Sequence, residues 1–241
     1  MDRQTVIVFG STGAIGRAVC RSLADRGCRV LAVRRKATDP AWTAEDMLGI
    51  DPVVWDVMAA GADSVVPPEL PRINAAVWAQ GENCNDDIFD FDMQRHNELY
   101  AANVSFILVS LQALLRADRL AAPSKLCIIS SIWQNIARQK KLSYCTTKAA
   151  LQGLVQSLAI DLGPAGHLVN AVLPGALDTA MTRANLSAAQ IGALEDMAPL
   201  GTLPTLADVC GLVGFLCLQD NTGITGQFIA ADKGFSYAKL L

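Results

Sequence analysis

The stretch Thr5-Val6-Ile7-Val8-Phe9-Gly10-Ser11-Thr12-Gly13-Ala14-Ile15-Gly16 decides the architecture. Thr5–Phe9 is continuously apolar or β-branched rather than alternating, the pattern of a strand covered on both faces. Glycines at 10, 13 and 16 make the turn, and Ala14–Arg26 has the composition of a helix. A glycine turn opening a helix leaves backbone N–H groups and the positive helix end facing outward, which suits a pyrophosphate. Glycine serves where φ is positive or where a ligand presses on the backbone. Gly10, Ser11, Thr12, Gly13, Ile15 and Gly16 are therefore candidate dinucleotide-binding residues. The competing reading is an ordinary strand-to-helix turn; the order strand, turn, helix weighs against it.

Working outward, short apolar runs recur at Arg29–Val33, Pro52–Trp55, Asn74–Trp78, Lys125–Ser130, His167–Leu173 and Gln227–Ala231. Helix-like segments lie between them at Phe89–Arg119, Tyr144–Leu162 and Thr205–Gln219, the second stopped by Gly163-Pro164. This alternation predicts an α/β fold: a Rossmann-type, doubly wound, mainly parallel seven-stranded sheet with helices on both faces. No linker interrupts it, so one domain is expected over 1–241. Thr179–Thr202 breaks the rhythm and reads as an inserted helical loop covering a ligand, with Met181 and Met197 packing that lid.

The formal net charge is −3, which argues against a broad basic surface for nucleic acid or anionic membrane. No apolar run approaches the roughly 18 residues of a membrane span, and the first is too short for a secretory signal. Seven cysteines, with no Cys-x-x-Cys pair, and two distant histidines make a disulfide framework or a metal site unexpected. A reducing cytoplasm fits.

Cofactor choice is set at the end of the second strand, where an acid suits the ribose 2′-OH of NAD and arginine suits a 2′-phosphate. The sequence there is Val33-Arg34-Arg35-Lys36, with no acid until Asp39. Arg34 and Arg35 favour NADP(H), with NAD(H) the alternative. Asp56 and Val57, after the third strand, are candidates for meeting the adenine.

Tyr144 and Lys148 stand at i and i+4, on one helix face. A free tyrosine, with a pKa near 10, is almost inert as an acid or base at neutral pH. A cation about 4 Å away at an effective dielectric near 20 is worth about 4 kcal/mol, roughly 3 pK units. The pair is thus expected to make the phenol a working proton donor or acceptor. Ser130-Ser131 close a strand, and Asn103 is a polar amide in an apolar helical stretch.

With these residues in place the chain resembles the short-chain dehydrogenase/reductase family, in its single-domain branch, over essentially its whole length. Ser131 precedes Tyr144 by thirteen residues, and Asn103 precedes Ser131 by twenty-eight, close to the family's spacing. The resemblance implies a catalytic set of Asn103, Ser131, Tyr144 and Lys148. Tyr144 would be the general acid/base and Lys148 its tuning cation, also binding the nicotinamide ribose. Ser131 would orient the carbonyl, and Asn103 would hold a proton-relay water. It further implies that Ala79, Gln80 and Gly81, and the segment Pro174, Gly175, Leu177 and Thr179, meet the cofactor. The substrate would be met by Ser131, Trp133, Gln134, Tyr144 and Ala176. The implied activity is that of an NADP(H)-dependent oxidoreductase, ketoreductase-like, acting on a ketone or secondary alcohol: a 3-oxoacyl, cyclic, polyketide-like or sugar-like carbonyl. A homo-oligomer, dimer or tetramer, is implied as well. The chain departs from the family pattern in four places. Ala14 and Gly13 shift the middle glycine, Phe9 replaces threonine, Trp78-Ala79-Gln80-Gly81 replaces Asn-Asn-Ala-Gly, and Asp232-Lys233-Gly234 replaces Asp-Gly-Gly. The glycine spacing keeps an epimerase or dehydratase as an alternative, and a catalytically silent dinucleotide-binding regulator is the other. Asn83, Asn85, Asp86 and Asp87 read equally as contacts to a hydroxylated substrate or as a solvated turn. Cys145 reads as a small hydrophobe rather than a redox switch.

Overall fold

Seven strands form one sheet in the order β3-β2-β1-β4-β5-β6-β7, and every neighbouring pair is parallel. They are β1 Thr5–Phe9, β2 Arg29–Arg34, β3 Ile50–Val54, β4 Ile73–Trp78, β5 Leu120–Ile129, β6 Leu168–Pro174 and β7 Phe228–Ala231. These assignments come from a computed structural model, which describes residues 3–36, 48–59, 65–179, 182–183 and 186–237. Asp39 and Met181 lie outside the described residues. The helices are α1 Ala14–Asp25, α2 Met93–Tyr100, α3 Phe106–Arg116, α4 Leu142–Leu162, α5 Ala188–Asp196 and α6 Leu206–Cys217. The fold expected from strand-helix alternation is the fold observed, with the sheet wholly rather than mainly parallel.

Side chains along β1 alternate between two cores. Val6 and Val8 pack with Val19, Cys20 and Leu23 of α1 and Val209 and Val213 of α6. Ile7 and Phe9 face Ile107, Leu111 and Leu114 of α3 and Leu151 and Val155 of α4. Both faces are covered, which is why the strands read as unbroken apolar runs. Phe9 and Trp78 are register partners on β1 and β4 and stack at 5.6 Å with planes 11° apart. Phe9 also touches Trp55 and Phe106. Two departures from the family pattern are thus one feature: a buried aromatic cluster beneath the glycine turn. Truncating Phe9 to alanine there would cost about 3–5 kcal/mol.

The expected helix Phe89–Arg119 is shorter and broken. It begins at Met93, where the Asp92 side chain accepts the Arg95 N–H, and a π-helical turn at Ala101–Ser105 separates α2 from α3. Phe89 lies outside it because the Asp87 and Asp90 side chains bind backbone N–H groups in a non-helical loop. The continuous helical stretch Met93–Arg116 is long and apolar enough by composition to cross a membrane. Its residues Leu99, Val104, Ile107, Leu111 and Leu114 are instead buried in the protein's own core. In α4 the helix starts two residues earlier than expected, at Leu142. The loop at 179–202 contains α5, which opens with a reciprocal Ser187–Gln190 cap.

At the end of the sheet away from the turn, His167 is buried against Ser124. The Ser124 backbone N–H donates to Nδ1 at 3.1 Å, so that nitrogen must be unprotonated. Burial pulls the imidazole below its ordinary 6.5. Its stabilisation is therefore complete above that value and is lost as pH falls below it. Thermal unfolding between about pH 7.5 and 5.5 should show the melting temperature dropping, and His167→Asn should flatten that slope. Parallel slopes for the two proteins would contradict this.

Candidate active site

The glycine turn sits where β1 hands over to β4, the point at which the strand order reverses. Gly10 has φ +73°, and a Cβ on it would lie 2.4 Å from the Gln80 backbone nitrogen. A Cβ on Gly16 would lie 2.1 Å from the Gly10 carbonyl oxygen. Both glycines are therefore fixed by the protein's own packing. Gly13 differs: its φ is −77°, and a Cβ would meet nothing closer than 3.5 Å. Packing does not explain it, whereas close approach of a ligand does. The Ser11 hydroxyl is buried and donates to the Val33 carbonyl at 2.7 Å, pinning the turn to β2. Any ligand contact by Ser11 must use its backbone. Ile15 packs inward from α1.

A groove of about 840 Å³ runs beside this turn. Gly10, Thr12, Arg34, Arg35, Asp56 and Val57 line one stretch, and Gln80 and Gly81 another. Val57 is fully buried and makes an apolar wall. Three buried polar atoms here have no hydrogen-bond partner: Arg34 Nε and both amide atoms of Gln80. Buried polar groups are almost always paired, so these orphans are atoms that a polar ligand would complete. Ala79 donates its N–H to Phe9 at 3.0 Å and faces the α1 side of the sheet. The residues present thus fit a dinucleotide, with cationic side chains at the end of β2.

Asn103 and Lys148 stand beside Gly81 of the groove, and Tyr144 and Ser131 lie next to Lys148 and to each other in turn. Ser131 follows β5 with extended backbone, and its hydroxyl oxygen accepts the Trp133 N–H at 3.3 Å. That hydroxyl lies close enough to the Tyr144 phenol to favour its charged form. Lys148 is buried, its Nζ 5.7 Å from the Tyr144 ring centre and donating to the Ile129 carbonyl at 3.2 Å. Asn103 lies in the π-helical turn. Its Oδ1 accepts the Glu82 N–H at 2.8 Å, and its Nδ2 donates to the Glu82 carbonyl at 3.1 Å and to Thr147 Oγ1 at 3.0 Å. Asn103 thus ties the loop after β4 to α4. Thr147, which composition alone did not single out, is the anchor on α4.

The electrostatics correct one expectation. Burial pushes the Tyr144 phenol above its ordinary value, opposed by the nearby Ser131 hydroxyl. Burial also pulls Lys148 down to about 8. The expected lowering of the phenol assumed a fully charged lysine about 4 Å away at an effective dielectric near 20. Here the ammonium is directed to a carbonyl, and both groups are stripped of water, which penalises either charged form.

On the substrate side, Trp133 and Ala176 line a narrow apolar cavity with Leu194, Leu203 and Phe235. Phe235 meets Trp133 edge-on at 6.2 Å. Gln134 is buried and bonded to Ser130 Oγ at 2.8 Å and to Asn135, so its side chain supports the strand end rather than lining this cavity. Pro174 ends β6 opposite Ala231, and Gly175 packs on Asp232 and Pro204. Leu177 packs into the α1 side, and Thr179 Oγ1 accepts the Thr182 N–H. The Asp232-Lys233-Gly234 departure is accommodated: Lys233 takes φ +58°, and its ammonium bonds Asp208 at 2.8 Å, at the start of α6. Among the described residues no cluster of potential metal ligands occurs.

The contrast between the glycines can be measured by thermal unfolding and by dinucleotide titration. Gly16→Ala should lose about 2 kcal/mol or more through backbone collision. Gly13→Ala should stay within about 1 kcal/mol of the parent yet bind a nicotinamide dinucleotide more weakly. Unaltered affinity in Gly13→Ala would remove the ligand explanation for that glycine.

Residues 10–236 match the family model described as enoyl-(acyl carrier protein) reductase. D-erythrulose reductase of Gallus gallus is 31% identical over 95% of this chain and 94% of its own. The 3-oxoacyl-[acyl-carrier-protein] reductase FabG of Escherichia coli is 26% identical over 97% of each. A crystal structure of a gluconate 5-dehydrogenase from Burkholderia cenocepacia, in complex with NADP and tartrate, superposes with a TM-score of 0.89 at 24% identity. It covers 99% of this chain and 97% of its own. A parallel sheet reversing at a glycine turn, a Ser-Tyr-Lys set at the reversal and these full-length matches give one conclusion: the chain is an oxidoreductase of the short-chain dehydrogenase/reductase family.

Proposed function

We propose that the protein is an NADP(H)-dependent reductase of a ketone, or in reverse a dehydrogenase of a secondary alcohol. One observation carries the reading. The Tyr144 phenol has the Ser131 hydroxyl near it and Lys148 beside its ring, and Lys148 stands next to Gly81 in a groove that Arg34 and Arg35 also line. Gly10, Thr12, Gly13, Gln80 and Gly81 would hold the dinucleotide, and Arg34 and Arg35 its 2′-phosphate. A bound nicotinamide supplies or accepts the hydride at the carbonyl carbon. Ser131 holds the carbonyl oxygen against Tyr144. Tyr144 gives its proton to that oxygen as negative charge develops on it, and takes it back in the alcohol direction. A phenol held protonated by burial is ready to donate, which favours reduction. Lys148 steadies the phenolate left behind. Support for NADP comes from the Burkholderia gluconate 5-dehydrogenase, crystallised with it. Support for a sugar-like or 3-oxoacyl carbonyl comes from the erythrulose and 3-oxoacyl reductases.

We place the protein in the cytoplasm, since all seven thiols are free and fit a reducing compartment. A dimer or tetramer is part of the same reading. Leu108, Leu115 and Ile160 on α3 and α4 are exposed apolar side chains that a partner helix would cover.

Oxidation of NADPH and NADH followed across a panel of ketones tests the assignment. Tyr144→Phe should cost at least about a hundredfold in kcat while leaving dinucleotide affinity near that of the parent. Near-parental turnover would reject the role of Tyr144. Arg34→Ser should weaken NADPH binding about tenfold to a hundredfold through the lost charge-assisted bond. An equal loss for NADH would mean that Arg34 does not read the 2′-phosphate.

A further inference from the structure

A second lysine beside the catalytic tyrosine has no part in the chemistry so far described. Lys141 precedes α4 directly, three residues before Tyr144, and is 9% exposed. Its Nζ lies 5.9 Å from the Tyr144 ring centre, so the ring has an ammonium at comparable distance from Lys141 and from Lys148. Two neutral oxygens accept its protons, Asn83 Oδ1 at 2.8 Å and the Cys84 carbonyl at 3.1 Å. An ammonium has three donors, so one is left over.

Among the described residues Lys141 forms no ion pair with a carboxylate. Both oxygens of Asp86 accept the Ser143 N–H, at 3.1 and 3.3 Å. Asp87 is taken by Lys140. Arg138 is close enough to disfavour the Lys141 charge, while the thiols of Cys84 and Cys145 and the Asp86 carboxylate act in its favour. Arg138 and Lys141, with Asn85 and Gln139, line an open cavity of about 390 Å³. A buried cation without an ion pair is costly, and a second cation beside it raises that cost.

The geometry points to Lys141 as the residue that receives an anionic group of the substrate, a carboxylate or a phosphate, a few bonds away from the carbonyl held by Tyr144 and Ser131. The inference rests on the reductase reading and adds the substrate class: an oxo acid or an oxo phosphate rather than a neutral ketone. Lys141 would act as a specificity-determining contact. Its third donor is taken up when the right substrate is bound, and a neutral analogue leaves that donor unused.

Four carbonyl probes separate the alternatives: acetoacetate against ethyl acetoacetate, and dihydroxyacetone phosphate against dihydroxyacetone. The parent should favour the charged member of at least one pair in kcat/KM, and which pair identifies carboxylate or phosphate. Lys141→Met should shrink that ratio about tenfold or more, the worth of one charge-assisted bond, while Lys141→Arg retains it. A merely structural lysine would lower both members together and leave the ratio fixed, which would overturn the proposal. Titration calorimetry of the NADP-saturated protein with acetoacetate and with inorganic phosphate gives a readout independent of turnover. Anion binding lost in Lys141→Met, with no probe reduced by the parent, would uphold the anion site and reject the reductase reading. Reduction of neutral ketones with no anion preference and no anion binding would do the reverse. Absence of both turnover and binding would reject both.

Discussion

A first side-chain carbon at position 10 would stand 2.4 Å from the backbone of Gln80, and every part of the site is arranged around that approach. The ends of β1 and β4 touch backbone to backbone because nothing projects between them. From there the contacts run on without a gap. A Cβ on Gly81 would meet Asn103 Oδ1 at 3.0 Å and Lys148 Nζ at 3.6 Å, and Asn103 in turn holds Thr147. The groove beside the glycine turn and the Asn103–Lys148 group are therefore one packed unit, reached through three consecutive positions after β4. The aromatic stack of Phe9 on Trp78 lies beneath and keeps the two strand ends in register.

Desolvation sets the character of the site more than any charge pair does. The phenol is raised and the lysine is lowered by the same loss of water. A phenol held protonated beside a lysine whose charge is weakened by burial is a proton-rich pair. Ser131 is the group that leans the other way, stabilising the anion that the phenol becomes. The balance suits a reaction in which negative charge appears on substrate oxygen only briefly.

Much of this was legible in the residues because it rests on local pattern. Continuous apolar runs announce strands covered on both faces, and the i, i+4 spacing of Tyr144 and Lys148 puts them on one helix face whatever surrounds them. Arg34 and Arg35 could be placed at the groove because they follow directly on a strand end. What escaped depended on long-range contact. The π-helical turn at Asn103 has no strong composition signal; it answers to Glu82 and Thr147, which are distant in sequence. Phe9 and Trp78 each looked like an isolated departure, and only strand register shows them as partners. Gln134 lay in the right segment, yet its amide turned back to Ser130. The fall in Lys148 and the rise in Tyr144 follow from the depth of burial, which spacing does not report. Lys141 stood in the run Gln139-Lys140-Lys141, where a buried lysine is indistinguishable from its solvated neighbour.

The sheet's outer margins carry a last consequence. β3 is an edge strand, and Pro52 in its middle has no N–H to offer. Asp51 and Val54 beside it are exposed, with Asp51 paired to Arg29. A strand arriving from another molecule finds an interrupted row of donors and a polar flank, so cross-β stacking along that border is blocked at its first step. The protein can thus keep a wholly parallel, strongly apolar sheet at high concentration without that border seeding aggregation.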